Sequence, residues 1–235
     1  ANTQVLGTGG QEAKTANIGY AAIDINATGA YFENTLVENS TTVGVRLYLV
    51  DYTTTFKNLT IRNSGDPGQG AHEAGLAISS SFFAPLFDTL EITGSVGPGI
   101  HASSGGSMTG SDWILENNSG DGLFIDSSTI YTFGIDTAYN GQSGVHVYDS
   151  RYVVLGDVNS SFDGQLGLTN SEKAGIYFEK SNAVESNSGD VMCAGCYVYN
   201  SSGSGVLVEN SVDLYLSQMF IYDASPEYPA LSIDN

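Results

Sequence analysis

Positively charged residues are scarce in this sequence: 7 Lys and Arg stand against 26 Asp and Glu in 235 residues, a net charge of −19. Double-stranded nucleic acid is therefore a poor partner, because phosphate binding needs clustered Lys and Arg. Acidic polysaccharides are disfavoured for the same reason unless a cation bridges the two negative surfaces. Only 14% of the residues are charged, so the low number of Lys and Arg stands out more than an excess of carboxylates, and it is also consistent with a simple role in solubility.

Long apolar runs and cysteines are also scarce. No apolar run approaches the roughly 20 residues of a membrane-spanning helix, so we expect no membrane insertion. No secretory signal is visible, and because the chain opens with Ala1 we expect a mature or excised form. The 2 cysteines, Cys193 and Cys196, cannot by themselves hold zinc, and no βαβ pattern marks them as a redox motif. We expect a packed pair or a small disulfide.

A short repeated phrase dominates what the sequence does contain. It is a glycine followed by an apolar residue, any residue and a second apolar residue, and it begins at Gly44, Gly75, Gly99, Gly122, Gly144, Gly175 and Gly205. Weaker copies begin at Ala22 and Ala230, and successive starts are 22, 31, 24, 23, 22, 31, 30 and 25 residues apart. Repeats of this period indicate a solenoid. We expect one continuous solenoid over residues 20–235, preceded by an N-terminal tail or cap over residues 1–19.

Alternation within each copy predicts a strand rather than a helix. The first and third residues after the glycine, such as Val145 and Val147, then point to one face, and a stack of such pairs fills the interior. Coils tend to close on an Asn or Asp, namely Asn39, Asn63, Asn118, Asn140, Asp163, Asn200 and Asp223. These residues suit tight turns because they tolerate the left-handed conformation. Asn side chains stacked inside the solenoid are the alternative.

This combination of glycine-led strands and Asn or Asp turns resembles the right-handed parallel β-helix proteins, a superfamily that includes pectate lyases, alginate epimerases and phage tailspikes. The resemblance covers roughly residues 20–235. It implies an all-β solenoid of about eight coils of 22–31 residues, and either work on polysaccharides or a purely structural role. The sequence lacks the Asn-Thr-Asp, Asp-Asp and Gly-His-Gly set of polygalacturonases, the Asp-Pro-His signature of alginate epimerases and the basic cluster of pectate lyases. No catalytic residue is therefore carried over.

The outward residues of the strands supply the candidate site. Equivalent residues of successive coils stack about 4.8 Å apart, which gathers His101, Phe124, Asp126, His146, Tyr148, Tyr177 and Glu179 on the middle of one face. His146 is the candidate base of a lyase, with Tyr148 or Tyr177 as the acid. Asp126 and Glu179, two coils apart, are instead the candidate carboxylate pair of an inverting glycosidase. The competing interpretation is an inert solvated sheet in a chain that has 14 tyrosines.

Two longer segments, residues 65–74 and 164–174, flank the short central coils. If both project along the same edge, they form the walls of a trough whose floor is His101, Phe124 and His146. His72 and Glu73 lie on one wall and Glu172 and Lys173 on the other. An aromatic floor with carboxylates beside it suits a glycan, and the residues expected to bind it are His101, Phe124, Tyr177, His72, Glu73 and Lys173.

Metal binding and glycosylation are further possibilities to weigh. Turns at residues 63–66, 117–121 and 187–190 offer oxygen ligands, but calcium needs six to eight of them with several carboxylates, which no single turn supplies. Ordinary turns are favoured, and no metal or cofactor is predicted. Six Asn-X-Ser/Thr sequons permit surface glycosylation of a secreted protein, at Asn26, Asn39, Asn58, Asn117, Asn159 and Asn200.

Two functional hypotheses follow. The first is an extracellular, cell-surface or virion domain that binds or processes a polysaccharide; if it is an enzyme, it is a polysaccharide lyase or a glycoside hydrolase. The second is a non-catalytic structural subunit of a filament, sheath, adhesin or virion fibre. Such a subunit assembles into a homo-oligomer or an end-to-end polymer through its open solenoid ends, around Leu231 and Ile233, where backbone groups lack strand partners.

Overall fold

A computed structural model of the chain describes residues 3–6, 21–26, 28–65, 73–81, 83–181, 191–222 and 224–234. The first ten strands are β1 (Thr3–Leu6), β2 (Ala21–Ile25), β3 (Tyr31–Glu38), β4 (Val43–Tyr48), β5 (Thr55–Arg62), β6 (Leu76–Ser79), β7 (Leu86–Thr93), β8 (Ile100–Ser103), β9 (Ser107–Glu116) and β10 (Leu123–Asp126). Ten more follow: β11 (Thr129–Ala138), β12 (Val145–Tyr148), β13 (Val153–Ser161), β14 (Ile176–Glu179), β15 (Val191–Ala194), β16 (Tyr197–Tyr199), β17 (Val206–Glu209), β18 (Leu214–Ser217), β19 (Phe220–Tyr222) and β20 (Leu231–Asp234). One short helix, α1 (Asn170–Lys173), lies between β13 and β14.

The strands form two parallel sheets. Sheet A has the order β1-β3-β5-β7-β9-β11-β13-β15-β18, with β16 and β19 continuing beside β13, and sheet B has the order β2-β4-β6-β8-β10-β12-β14-β17-β20. The chain alternates between the two sheets, so each coil contributes to both and hydrogen-bonds to the coils before and after it. The predicted all-β parallel β-helix is therefore confirmed. Of the predicted N-terminal tail or cap, residues 3–6 pair with β3 as strand β1, and the rest lies outside the described residues.

The repeated phrase forms the strands of sheet B. The first and third residues after each repeat glycine are buried at all seven copies, as predicted, and Val145 and Val147 are fully buried. The glycine itself is needed because successive coils approach closely there. A Cβ atom on Gly122 would lie 2.6 Å from the carbonyl oxygen of Gly144 in the next coil. Any larger residue at this position would have to push the coils apart.

Three columns of residues in the left-handed conformation turn the chain within each coil. One column ends the strands of sheet B and includes Ser80, Ser127 and Asp149. A second bends the strands of sheet A in the middle, and its members are Asn34, Asn58, Thr89, Asp112, Gly134, Asp157, Gly195 and Gln218. The third ends sheet A, at Asn39, Asn63, Gly94, Asn117, Tyr139, Phe162 and Asn200. Asn, Asp and Gly dominate because they adopt this conformation most readily.

Both interpretations of the Asn and Asp residues are correct, at different positions. Asn39, Asn63 and Asn200 are left-handed turn residues, whereas Asn118, Asn140 and Asp163 follow the turn residue and are buried inside the solenoid. They form a hydrogen-bonded ladder across three coils. The Nδ2 atom of Asn118 donates to Oδ1 of Asn140 at 3.0 Å, and Nδ2 of Asn140 donates to Oδ1 of Asp163 at 2.9 Å. The turn predicted at Asp223 lies outside the described residues.

Stacked aromatic rings fill the opposite part of the core. Phe32, Phe56 and Phe87 stack on successive coils with ring centroids 4.9 and 5.0 Å apart, and Trp113 closes the column edge-on to Phe87. Such pairs are worth about 0.5–1.5 kcal/mol each beyond the area they bury. Near the C-terminal end of the core, Cys193 and Cys196 are buried and joined in a disulfide, one of the two predicted arrangements. Among the described residues, no helix is long and apolar enough to cross a membrane.

Asp163 makes stability depend on pH. Burial raises the pKa of its carboxyl from 3.8 to about 6, against the opposing effect of hydrogen bonds donated by Asn140, Thr137 and Ser160. Between about pH 4 and pH 6 the folded protein retains a proton that the unfolded chain releases, so the free energy of unfolding falls as pH rises through this range. Two pKa units correspond to about 3 kcal/mol. Asp163→Asn keeps an oxygen for Asn140 and should remove this dependence.

The measurement is urea unfolding of wild type and Asp163→Asn from about pH 4 to about pH 7, the range in which the two protonation equilibria diverge. We expect the variant to gain about 3 kcal/mol relative to wild type across this range. Asp136→Asn is the matched control because it removes the same charge from an exposed side chain of sheet A. If the free energy of unfolding of wild type and of Asp163→Asn changed with pH in parallel, Asp163 would not be the source of the pH dependence.

Candidate functional site

Four aromatic side chains stack on the outer face of sheet B. Strand register places His101, Phe124, His146 and Tyr177 next to one another on β8, β10, β12 and β14. Their ring centroids are 4.9, 4.7 and 4.5 Å apart in that order, with interplanar angles of 13°, 27° and 27°. Because the spacing of the rings is close to that of the strands, each ring lies on the next with little tilt. The predicted aromatic floor is therefore present and extends one residue further, to Tyr177.

A cavity of about 280 Å³ lies over this ring stack, and we call it the trough. The described residues that line it are Pro98, His101, Asp121, Phe124, Gln142, Ser143, His146, Ser171, Glu172, Tyr177 and Glu179. Most come from the floor strands or from the residues just before them, and Ser171 and Glu172 come from the segment that was predicted to form a wall. The floor spans four strands, roughly 14 Å, which is the scale of a short oligosaccharide.

The wall at residues 164–174 is held to the coils by hydrogen bonds. The backbone amide of Leu166 donates to the carbonyl of Gly141 at 2.8 Å, and the hydroxyl of Ser143 donates to the carbonyl of Ser171 at 2.8 Å. Helix α1 begins with a capping box between Thr169 and Glu172. Amides of Leu168 and Thr169 donate to the Glu172 carboxylate and lower its pKa. Glu172 therefore brings a fixed negative charge to the trough.

His146 lies between two carboxylates. Its Nδ1 atom is 3.6 Å from Oδ2 of Asp121, and its Nε2 atom is 3.9 Å from Oε2 of Glu179. The His146 side chain is 18% exposed, and the buried Nε2 atom has no hydrogen-bond partner among the described residues. An unsatisfied buried polar atom in a folded protein calls for an explanation. Here a ligand hydroxyl or a water in the trough could supply the missing partner.

Tyr177 keeps its proton under all ordinary conditions. Its side chain is buried, and its hydroxyl donates to Oε2 of Glu209 at 2.6 Å. Burial, followed by the hydrogen bonds and charges of Glu209 and Glu179, raises the pKa of Tyr177 well above its usual value of 10. Tyr177 therefore contributes a neutral hydroxyl to the floor rather than a phenolate.

The structure brings together His101, Phe124, His146, Tyr177 and Glu179 of the predicted site residues. Three others lie beside the trough or away from it. Tyr148 contacts the His146 ring edge-on with centroids 6.4 Å apart, and its hydroxyl accepts from Lys180 Nζ at 3.2 Å. Asp126 accepts a hydrogen bond from Ser127 and does not line the trough. Lys173 Nζ lies 5.9 Å from the ring centroid of Tyr228, toward the C-terminal coil.

The other predicted wall, residues 65–74, is only partly described. His72 lies outside the described residues. Glu73 is half-buried, and its carbonyl accepts from the amide of Gly97 at 3.1 Å. Of the sequons, Asn26, Asn39, Asn58, Asn117 and Asn159 have exposed side chains and Asn200 is half-buried, so glycosylation stays a prediction. Within the described ranges no group of three or more His, Cys, Asp or Glu is arranged to hold a metal ion, and the predicted turn at residues 187–190 lies outside them.

Sequence reasoning missed Asp121, the carboxylate nearest to Nδ1 of His146. Asp121 is only 5% exposed and lies just before Gly122. A signal was present, because the residue before the repeat glycine is uncharged in the other six copies, where it is Val43, Ala74, Pro98, Ser143, Ala174 or Ser204. An Asp in this column is thus an exception to the pattern. Sequence reasoning also left out Glu209, the acceptor of the Tyr177 hydroxyl.

Comparison with solved structures identifies the architecture. The chain is similar to the A-module of mannuronan C-5 epimerase AlgE4 from Azotobacter vinelandii, with a TM-score of 0.62 and 13% identity over 88% of this chain and 56% of that module. The chain thus spans little more than half the length of its structural neighbour. At this identity the likeness establishes the fold, a right-handed parallel β-helix. No protein-family model and no curated protein sequence matches the chain.

The ring stack should contribute to stability. Phe124→Leu keeps an apolar side chain but removes both stacking contacts, with His101 and with His146, so we expect a loss of about 1–3 kcal/mol in the free energy of unfolding. Urea unfolding measures it. Phe133→Leu is the control: Phe133 is exposed on sheet A, and among the described rings its contact is an edge contact with Tyr131. Equal losses in the two variants would show that the stack adds nothing specific.

Proposed function

We propose that this chain is an extracellular β-helix domain that binds a polysaccharide in the trough and processes it there. One observation carries the proposal: four stacked rings form a continuous floor beneath a cavity bordered by carboxylates. Because the rings stack on one another, their edges line the trough as an apolar surface, and the carboxylates beside it can accept hydrogen bonds from sugar hydroxyls. Concave sites of this composition, apolar with a few convergent polar groups, are the usual binding sites of proteins.

Two further observations support the proposal. The structural neighbour is named for its action on mannuronan, a polysaccharide, although shared fold does not fix function. The Cys193–Cys196 disulfide fits an extracellular location, because disulfides persist in oxidising compartments.

Hydrolysis is the reaction that these side chains suit best. Buried Asp121 faces Nδ1 of His146, in the way that a carboxylate orients an imidazole in hydrolytic triads. His146 lines the trough beside Glu179, and once a bound water reaches Nε2, which is buried in the free protein, that atom can take a proton from the water. The imidazolium of His146 then returns this proton to the oxygen of the departing sugar, whereas Tyr177, whose hydroxyl donates to Glu209, stays neutral throughout. In this assignment His146 is the base, Asp121 positions it, and Glu179 stabilises the charge that His146 gains.

Replacing floor residues tests the proposal. His146→Ala and Phe124→Ala should each abolish binding on an array of polysaccharides and oligosaccharides, because they remove the middle of the floor. Circular dichroism and the unfolding midpoint should show that both variants remain folded. Tyr131→Ala, which removes an exposed ring from sheet A, is the control and should bind like wild type. Unchanged binding by both floor variants, or no glycan bound by wild type, would refute the proposal.

A second candidate function rests on the last described coil. Leu231 and Ile233 occupy the inward positions that are buried in the other coils, yet they are 47% and 59% exposed. Strand β20 pairs only with β17 among the described strands, so its other edge is open. An open edge with apolar side chains favours addition of another strand. This candidate function is a structural subunit that associates end to end.

Light scattering over a range of protein concentrations tests this second function. If the end face associates, the native mass should rise with concentration, and Leu231→Lys with Ile233→Lys should return the protein to a monomer. Tyr131→Lys together with Phe133→Lys, on the exposed face of sheet A, is the matched control and should not alter assembly. A wild-type protein that stays monomeric at every concentration would exclude end-to-end assembly.

A further inference from the structure

We propose that the trough selects glycans without acidic groups, that is, chains of uncharged or amine-bearing sugars, and rejects uronate-containing or sulfated ones. The inference rests on the proposed function and names the substrate class of the same site. It comes from the distribution of charge around the ring stack.

The trough is lined by acids. Asp121, Glu172 and Glu179 line it, and its other described lining residues include no Lys or Arg. Glu172 holds its charge through two backbone amides. Glu209 lies on the next strand, in register with Glu179, and accepts the Tyr177 hydroxyl. Walls of one charge and low dielectric focus the field in a cleft. The field at the floor is therefore negative.

The described Lys and Arg residues other than Lys180 lie away from the trough. Arg46 pairs with Asp24, and Arg62 pairs with Glu91. Lys57 lies on sheet A between Glu33 and Asp88, Arg151 borders a separate cavity beside Tyr152, and Lys173 lies over Tyr228. Lys14 is outside the described residues, and the two other long undescribed segments, 66–72 and 182–190, contain no Lys or Arg.

Lys180 is the cation nearest to the trough. Its Nζ atom lies 3.5 Å from Oε1 of Glu179 and donates to the Tyr148 hydroxyl, and the side chain is about half exposed. It therefore partly offsets the charge of Glu179 at the edge of the site, next to Tyr148. The three other acids, Asp121, Glu172 and Glu209, have no such neighbour among the described cations.

The consequence for a sugar carboxylate is unfavourable. A carboxylate laid on the ring stack would lose solvent and face several negative charges without a cation to pair with, and both effects oppose binding. Lyase and epimerase reactions at a uronate also require that the sugar carboxylate be neutralised as the adjacent proton is removed, and none of the described lining residues is a Lys or Arg that could do this. Hydroxyls and ammonium groups are hydrogen-bond donors and match the carboxylate acceptors.

The experiment compares three probes of equal length by titration calorimetry: an N-acetylchito-oligosaccharide as the neutral probe, a chito-oligosaccharide as the amine-bearing one and an oligomannuronate as the acidic one. We expect wild type to bind at least one of the first two, and to bind the oligomannuronate about tenfold or more weakly. Glu172→Gln with Glu179→Gln should narrow this difference by raising oligomannuronate affinity, since Gln preserves the shape of both side chains. Asp136→Asn, on the exposed face of sheet A, should leave the difference in affinity between the probes unchanged.

The outcomes separate the inference from the function on which it rests. Suppose that wild type binds oligomannuronate more tightly than both other probes, with or without added calcium, and that Phe124→Ala loses this binding. The charge inference would then be overturned, and the proposed function would stand. If wild type binds none of the three probes and no polysaccharide on the array, the charge inference and the proposed function are both overturned. A neutral or amine-bearing probe that binds and is lost in Phe124→Ala would support both.

Discussion

Hydrogen bonding between coils in strict register is the constraint on which the rest of this structure depends. Parallel strands about 4.8 Å apart place each side chain directly above its equivalent in the previous coil. A shift of one residue in any strand would exchange its inward and outward side chains. The repeat glycines permit this spacing, since at Gly122 a single added carbon would meet the carbonyl of the next coil. Columns of like residues, inside and outside, follow from this geometry.

The same spacing makes the candidate site rigid. Aromatic rings stack well at nearly the distance that separates strands, so the four rings of the floor are held by backbone hydrogen bonds rather than by loops. The loop at residues 164–174 contributes only the wall, and hydrogen bonds from Leu166 and Ser143 fix it to neighbouring coils. A floor of this kind presents a preformed surface, which lowers the ordering cost when a ligand binds.

The sequence allowed the fold and the floor to be predicted because both depend on period alone. Strand alternation places His101, Phe124, His146 and Tyr177 in one column without knowledge of any contact. The turns between strands are harder to predict, because a difference of one position decides whether a side chain points into the solenoid or out of it. The pattern left open whether Asn118 and Asn140 lie in turns or stack inside the solenoid. The left-handed residue before Asn140 is the bulkier Tyr139, which leaves Asn140 buried. Asp121 was missed for the same reason: it lies before the strand, where alternation gives no direction.

Asp163 and His146 are both buried polar groups, and comparing them distinguishes a structural role from a functional one. Asp163 is fully buried and accepts hydrogen bonds from Asn140, Thr137 and Ser160, so its environment is complete within the fold. His146 is less buried, yet its Nε2 atom has no hydrogen-bond partner in the part of the chain that the structure describes, and it lies 3.9 Å from Oε2 of Glu179. The fold gains nothing from leaving that atom unpaired next to a group of carboxylates. Local rules that fail in this way are expected at sites shaped for a ligand, and the charges around His146 favour a ligand that donates hydrogen bonds.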